Sequence, residues 1–86
     1  MEILFTEQFE QAYGKLTNAE KRSVRKALTL LGDNRKYPSL RVKKMEGRKN
    51  IWEARPSIRL RMTFEMAGEI IFMRNVGEHD KVLKRP

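Results

Sequence analysis

With 86 residues, no cysteine and a net charge of +8, the chain has room for one modest core and none for a disulfide framework, a thiolate metal site or a cysteine nucleophile. No apolar run approaches the about 18 residues of a membrane span, and the opening MEILFTEQF lacks the basic region and long apolar stretch of a signal peptide, so one soluble cytoplasmic domain over residues 1–86 is expected. Residues 32–61 hold ten basic and three acidic side chains while both flanks are near balance, a local field that attracts phosphate backbones or an acidic partner.

Residues 2–5, EILF, are short and apolar and predict a first strand, with Thr6 placed to cap the helix that follows. In that helix Phe9, Ala12, Tyr13 and Leu16 fall on one stripe at i, i+3, i+4 and i+7. Gly14 interrupts it at a cost of up to about 1 kcal/mol relative to Ala, which a neighbouring backbone passing close would explain. Thr17-Asn18-Ala19-Glu20 has the capping-box pattern and starts a second helix, in which Val24, Ala27, Leu28 and Leu31 repeat the apolar spacing. Gly32 is expected to supply its left-handed C-terminal residue, and Pro38 prevents continuation.

From Leu40 helical spacing gives way to alternation. LRVKKM predicts a strand, Gly47 to Asn50 a turn, IWEAR and RLRMTFE two further strands around Pro56-Ser57, and EIIFMRNV a central strand, apolar on both faces. The tail GEHDKVLKRP predicts one short turn. The expected architecture is α+β: a short N-terminal strand and a helical hairpin packed on one face of a twisted, mainly antiparallel sheet.

Parity around the Pro-Ser break decides which side chains meet. A three-residue loop, Pro56 to Ile58, pairs Arg55 with Arg59, Ala54 with Leu60, Glu53 with Arg61 and Trp52 with Met62, so that every charge lands on one face. A two-residue loop mixes charge with core at a cost of several kcal/mol, about the penalty of burying unpaired polar groups. Like charges opposed in a sheet repel, and a phosphate held between Arg55, Arg59 and Arg61 would relieve that repulsion through bidentate contacts. The bland alternative is that the arginines splay into water and their stems cover Trp52. Arg41, Lys43, Lys44, Arg48 and Lys49 form either a solvated face that blunts the sheet edge or additional contacts to a nucleic-acid backbone. His79, the one histidine, is the side chain suited to proton transfer near neutrality. Glu53 among arginines suits a base or an orienting group rather than an acid.

The ordered set of helical hairpin, PSLRVKKMEGRKNIWEARPSIRLRMTFE and IIFMRNVGEHDKVLKR resembles the RelE/ParE toxin superfamily of prokaryotic toxin-antitoxin systems over nearly the whole chain. That resemblance implies a compact α+β fold, an antitoxin partner, and one of two activities: a ribosome-dependent mRNA interferase of the RelE type or a gyrase-directed inhibitor of the ParE type. For the RelE-like activity it implies Glu53, Arg55, Arg61 and His79 as the catalytic set, metal-free and without a cofactor, with ribosome and mRNA as partners. Arg59, Arg41, Lys43, Lys44, Arg48 and Lys49 would then contact RNA phosphates. The chain departs from the RelE pattern in having Leu83, and no aromatic residue after Phe72, near the C-terminus, and it lacks a lysine pair found in some members. These departures leave open a degenerate member that binds RNA without cleaving it.

Overall fold

The computed structural model describes residues 1–86. Strand β1 (Glu2–Phe5) leads into α1 (Glu7–Gly14), α2 (Asn18–Asp33), a 3₁₀ turn (Pro38–Leu40), β2 (Lys43–Lys44), β3 (Trp52–Ala54), β4 (Leu60–Ala67), β5 (Ile70–Glu78) and α3 (His79–Lys84). The strands form one five-stranded sheet in the order β1-β5-β4-β3-β2. Strand β1 lies parallel to β5 and every other pairing is antiparallel. The α+β architecture and the interior place of EIIFMRNV agree with the sequence.

Both helices begin as their caps dictate. The Thr6 hydroxyl accepts from the Phe9 amide. In the capping box the Glu20 amide donates to the Thr17 hydroxyl and the Thr17 amide to the Glu20 carboxylate, at 3.1 and 2.8 Å. Phe9, Val24, Ala27 and Leu31 from the helices meet Leu60, Met62 and Phe64 of β4 and Ile71, Met73 and Val76 of β5 in one core. Burial of each large side chain contributes about 1.5–3 kcal/mol. The odd step from Met73 to Val76 is possible because Arg74 is a bulge residue. Thr63 pairs with Asn75 and Phe64 with Met73, which returns Val76 to the core face.

Three local expectations are corrected. No atom outside its own helix and chain neighbours lies within 4 Å of a Cβ built at Gly14, so no backbone passes there. Gly32 stays helical inside α2, whose cap is the extended Asn34. The close approach is at Gly32 instead, where an added Cβ would stand 3.3 Å from Ile3 Cδ1 of β1. LRVKKM is a strand only at Lys43–Lys44, because Leu40 closes the 3₁₀ turn and Arg41 adopts a left-handed φ of 48°.

The register across the Pro-Ser break also differs. Ala54 pairs with Met62, Glu53 with Thr63 and Trp52 with Phe64, a slip of two residues from the three-residue loop. β3 ends at Ala54, the Arg55 amide donates to the Leu40 carbonyl at 2.8 Å, and Arg55 does not pair with Arg59. A two-residue slip preserves parity. Glu53, Arg61 and Thr63 therefore share the face opposite α1 and α2, as alternation requires. The tail is a helix of six residues whose Val82 is buried and lies 3.7 Å from a Cβ built at Gly77, covering one end of that second face.

Candidate functional site

Beside the first residue of α3, the second face of the sheet opens into a cleft of about 440 Å³ lined by Arg41, Val42, Lys43, Glu53, Arg55, Arg61 and His79. Four cations surround one carboxylate. All four residues expected to form the catalytic set are here, together with Arg41 and Lys43.

Each is placed by a backbone feature. Arg41 enters the cleft through its left-handed conformation, a state costing about 1–2 kcal/mol for a residue with a Cβ. Lys43 sits opposite Glu53 in the β2–β3 register, and its Nζ lies 3.6 Å from Glu53 Oε1. Glu53 forms the floor at 7% exposure, whereas the Lys43 side chain is 71% exposed. The partner of the buried carboxylate is thus an exposed surface ammonium rather than Arg61.

Arg61 donates through Nη1 to the carbonyls of Ile58 and Leu60, at 3.0 and 2.9 Å. Nε and Nη2 are left for a ligand. Burial, then the charge of Arg55, lower the Arg61 pKa, and Glu53 opposes them; an anion entering the cleft would favour the charged guanidinium in the same way Glu53 does. His79, the first residue of α3, is half exposed at the rim, with Nδ1 3.4 Å from Asp80 Oδ1. That leaves Nε2 unengaged.

The remaining expected contacts are elsewhere. Arg59 projects outward and meets Glu78 at 3.7 Å. Lys44 pairs with Trp52 and so belongs to the opposite face of β2. Arg48 and Lys49 are exposed in the turn that joins β2 to β3, suited to solvent or to a distant stretch of backbone. The cation over the Trp52 ring is Arg35, at 5.9 Å, so the cleft arginines do not serve as its cover. Sequence reasoning missed Thr63, which is fully buried and whose hydroxyl has no partner. Its place between Arg61 and Glu65 in the alternation was the available signal.

A larger hollow of about 520 Å³ lies between α1 and α3, but Glu20 and Glu78 share its walls with Lys15, Lys81 and Arg85. It lacks the single-sign field of the smaller cleft. No three of the His, Asp and Glu side chains gather as a ligand set for a metal ion, and no helix is long and apolar enough to cross a membrane.

No family model matches the chain and no curated protein sequence does. Solved structures do. YafQ from E. coli strain BL21(DE3) superposes with a TM-score of 0.75 at 15% identity, over 94% of this chain and 96% of that one. A chain of the RelB–RelE antitoxin–toxin complex from Methanococcus jannaschii gives 0.73 at 19% identity, over 96% and 99%. The YoeB/ParE toxin from Agrobacterium tumefaciens gives 0.69 at 16%, over 92% and 99%. At these identities the likeness establishes the fold: the chain is folded as RelE/ParE-superfamily toxins are, which agrees with the resemblance carried by its motifs.

Proposed function

We propose that the protein is the toxin of a toxin-antitoxin pair and that its cleft cleaves mRNA on the ribosome. The observation that carries this reading is the cleft itself, in which Arg41, Lys43, Arg55 and Arg61 surround the buried Glu53 with His79 at the rim. The cleavage is attack of an RNA 2′-OH on the adjacent phosphorus. The O–P bond that forms closes a 2′,3′-cyclic phosphate, and the bond that breaks releases the 5′-oxygen of the next nucleotide. Glu53 takes the 2′-OH proton, or else orients Arg61. His79, in its protonated form, gives a proton to the leaving oxygen. Arg55 and Arg61 hold the phosphate and stabilise the charge that builds on its equatorial oxygens.

The ribosome supplies the RNA positioning that a chain of this size does not, consistent with a cleft open on one side. An antitoxin is the second partner, covering the basic face until the toxin is released; the structural neighbours crystallised as antitoxin–toxin complexes motivate that assignment. Leu83, exposed on α3, stands where the RelE-like pattern has an aromatic residue, and this favours weaker nucleotide stacking or a gyrase target as the competing reading. A cell-free translation reaction separates them. Shortened mRNA with 2′,3′-cyclic phosphate ends supports the interferase, whereas intact mRNA with loss of gyrase supercoiling replaces it with the inhibitor.

A further inference from the structure

Thr63 is fully buried, yet its hydroxyl has no hydrogen-bond partner, an arrangement that native proteins rarely keep without a use. Four side chains neighbour it on the same face of the sheet: Glu53 and Asn75 directly across, Arg61 and Glu65 along β4. Asn75 is occupied at both ends of its amide, Oδ1 accepting from the Val76 amide and Nδ2 donating to the Arg85 carbonyl. Glu65 is bound to Arg74 at 2.6 Å. Arg61 is donor-only and reaches toward the loop carbonyls. Of the two residues directly across, Glu53 is the one with acceptor capacity to spare, since its partner is the exposed Lys43 at 3.6 Å, and the free Oε1 of Glu65 belongs to a residue one full pleat repeat along β4.

We propose that Thr63 is a positioning residue for Glu53: when Lys43 swings away to a bound phosphate, the Thr63 hydroxyl donates to the released carboxylate and holds it on the cleft floor. Cross-strand partners have Cβ atoms about 4.5–5.5 Å apart, within reach of a Thr–Glu hydrogen bond after one rotamer change. The free protein thus stores an unmade bond that ligand binding completes. The catalytic consequence rests on the interferase reading; the Thr63–Glu53 bond itself does not.

A double-mutant cycle without RNA tests the bond. Thr63→Val is nearly isosteric, and in the otherwise unchanged protein it removes an unpaired hydroxyl, so Tm stays level or rises. In a Lys43→Ala background, where Glu53 has already lost its ammonium, the same substitution lowers Tm, whereas Thr63→Ser, which keeps the hydroxyl and loses one buried methyl, lowers Tm equally in both backgrounds. Equal effects of Thr63→Val in both backgrounds overturn the proposal. With RNA, Thr63→Val lowers kcat about tenfold or more at unchanged KM, and Thr63→Ser restores it; parallel loss in KM, or full activity, overturns the catalytic role. Absence of cleavage by the unmodified protein overturns the interferase reading and leaves the Tm cycle to decide the bond.

Discussion

Arg61 reaches back to the carbonyl of Ile58, Nη1 to oxygen 3.0 Å, and the side chain that pins this loop also lines the cleft. Arg61→Ala is expected to abolish RNA cleavage and weaken RNA binding at least about tenfold, because a hydrogen bond to a charged group contributes about 1.5–3 kcal/mol. Loss of the loop contacts lowers stability by about 1–2 kcal/mol without unfolding the domain. Arg61→Lys keeps the charge but not the fork and should bind at an intermediate level. Cleavage by a folded Arg61→Ala protein would remove Arg61 from the site.

Glu53→Gln should separate binding from chemistry. Taking one negative charge from among Arg55, Arg61 and Lys43 leaves RNA affinity equal or higher, while loss of the base slows cleavage about 10²- to 10⁴-fold. Filter binding and product analysis on the same preparation decide it. If affinity and rate fall together, Glu53 orients Arg61 instead of taking the proton.

Salt dependence distinguishes the cleft arginines from their neighbour. Arg55 lines the cleft and Arg59 faces Glu78. Arg55→Ala is expected to reduce the slope of log K against log salt by about 0.7 for single-stranded RNA, the effect of one lost phosphate contact. Arg59→Ala should leave it nearly unchanged. An equal reduction for both would mean that RNA runs along the outside of the hairpin.

The α2 capping box confers an acid-side limit on stability. The hydrogen bond from the Thr17 backbone holds the Glu20 carboxyl below its ordinary range, against a smaller opposing effect of burial. A depressed folded-state pKa stabilises the protein above the unfolded value, about 4.3, and that contribution is lost as pH falls through the folded value. Glu20→Gln should flatten the acid limb of a Tm-against-pH curve. Thr17→Ala should cost about 1 kcal/mol at neutral pH, a Tm decrease of about 4–8 °C.

Gly14 and Gly32 should respond differently to alanine. The space beside Gly14 is open, so Gly14→Ala gains about 0.5–1 kcal/mol from helix propensity. Gly32→Ala gains less or loses, since Ile3 Cδ1 stands 3.3 Å from the new Cβ and must give way. Equilibrium denaturation of the two variants measures the difference.

The parts of this structure written in local chemistry were legible from the residues. The Thr6 and Thr17 caps, the alternation of Leu60, Met62 and Phe64 against Arg61 and Thr63, and the sharing of one face by Glu53 and Arg61 all follow from spacing and parity. What spacing did not contain are contacts made by distant chain. The Leu40 carbonyl takes the Arg55 amide, the β3–β4 register stands two residues from that of a three-residue loop, and α2 runs through Gly32 to Asp33 with Ile3 packed against the glycine. The site was legible as a set of residue types. Its internal pairing was not, because the choice of Lys43 over Arg61 as the partner of Glu53 depends on the register of β2.

The most direct test is mRNA end analysis in a translating extract, comparing the unmodified protein with the Arg55→Ala/Arg61→Ala double variant. Fragments ending in 2′,3′-cyclic phosphate with the former and intact message with the latter, both proteins folded, are the predicted result. Cleavage that survives in the folded double variant, or intact message with the unmodified protein, would contradict the assignment of this cleft as the site of RNA cleavage.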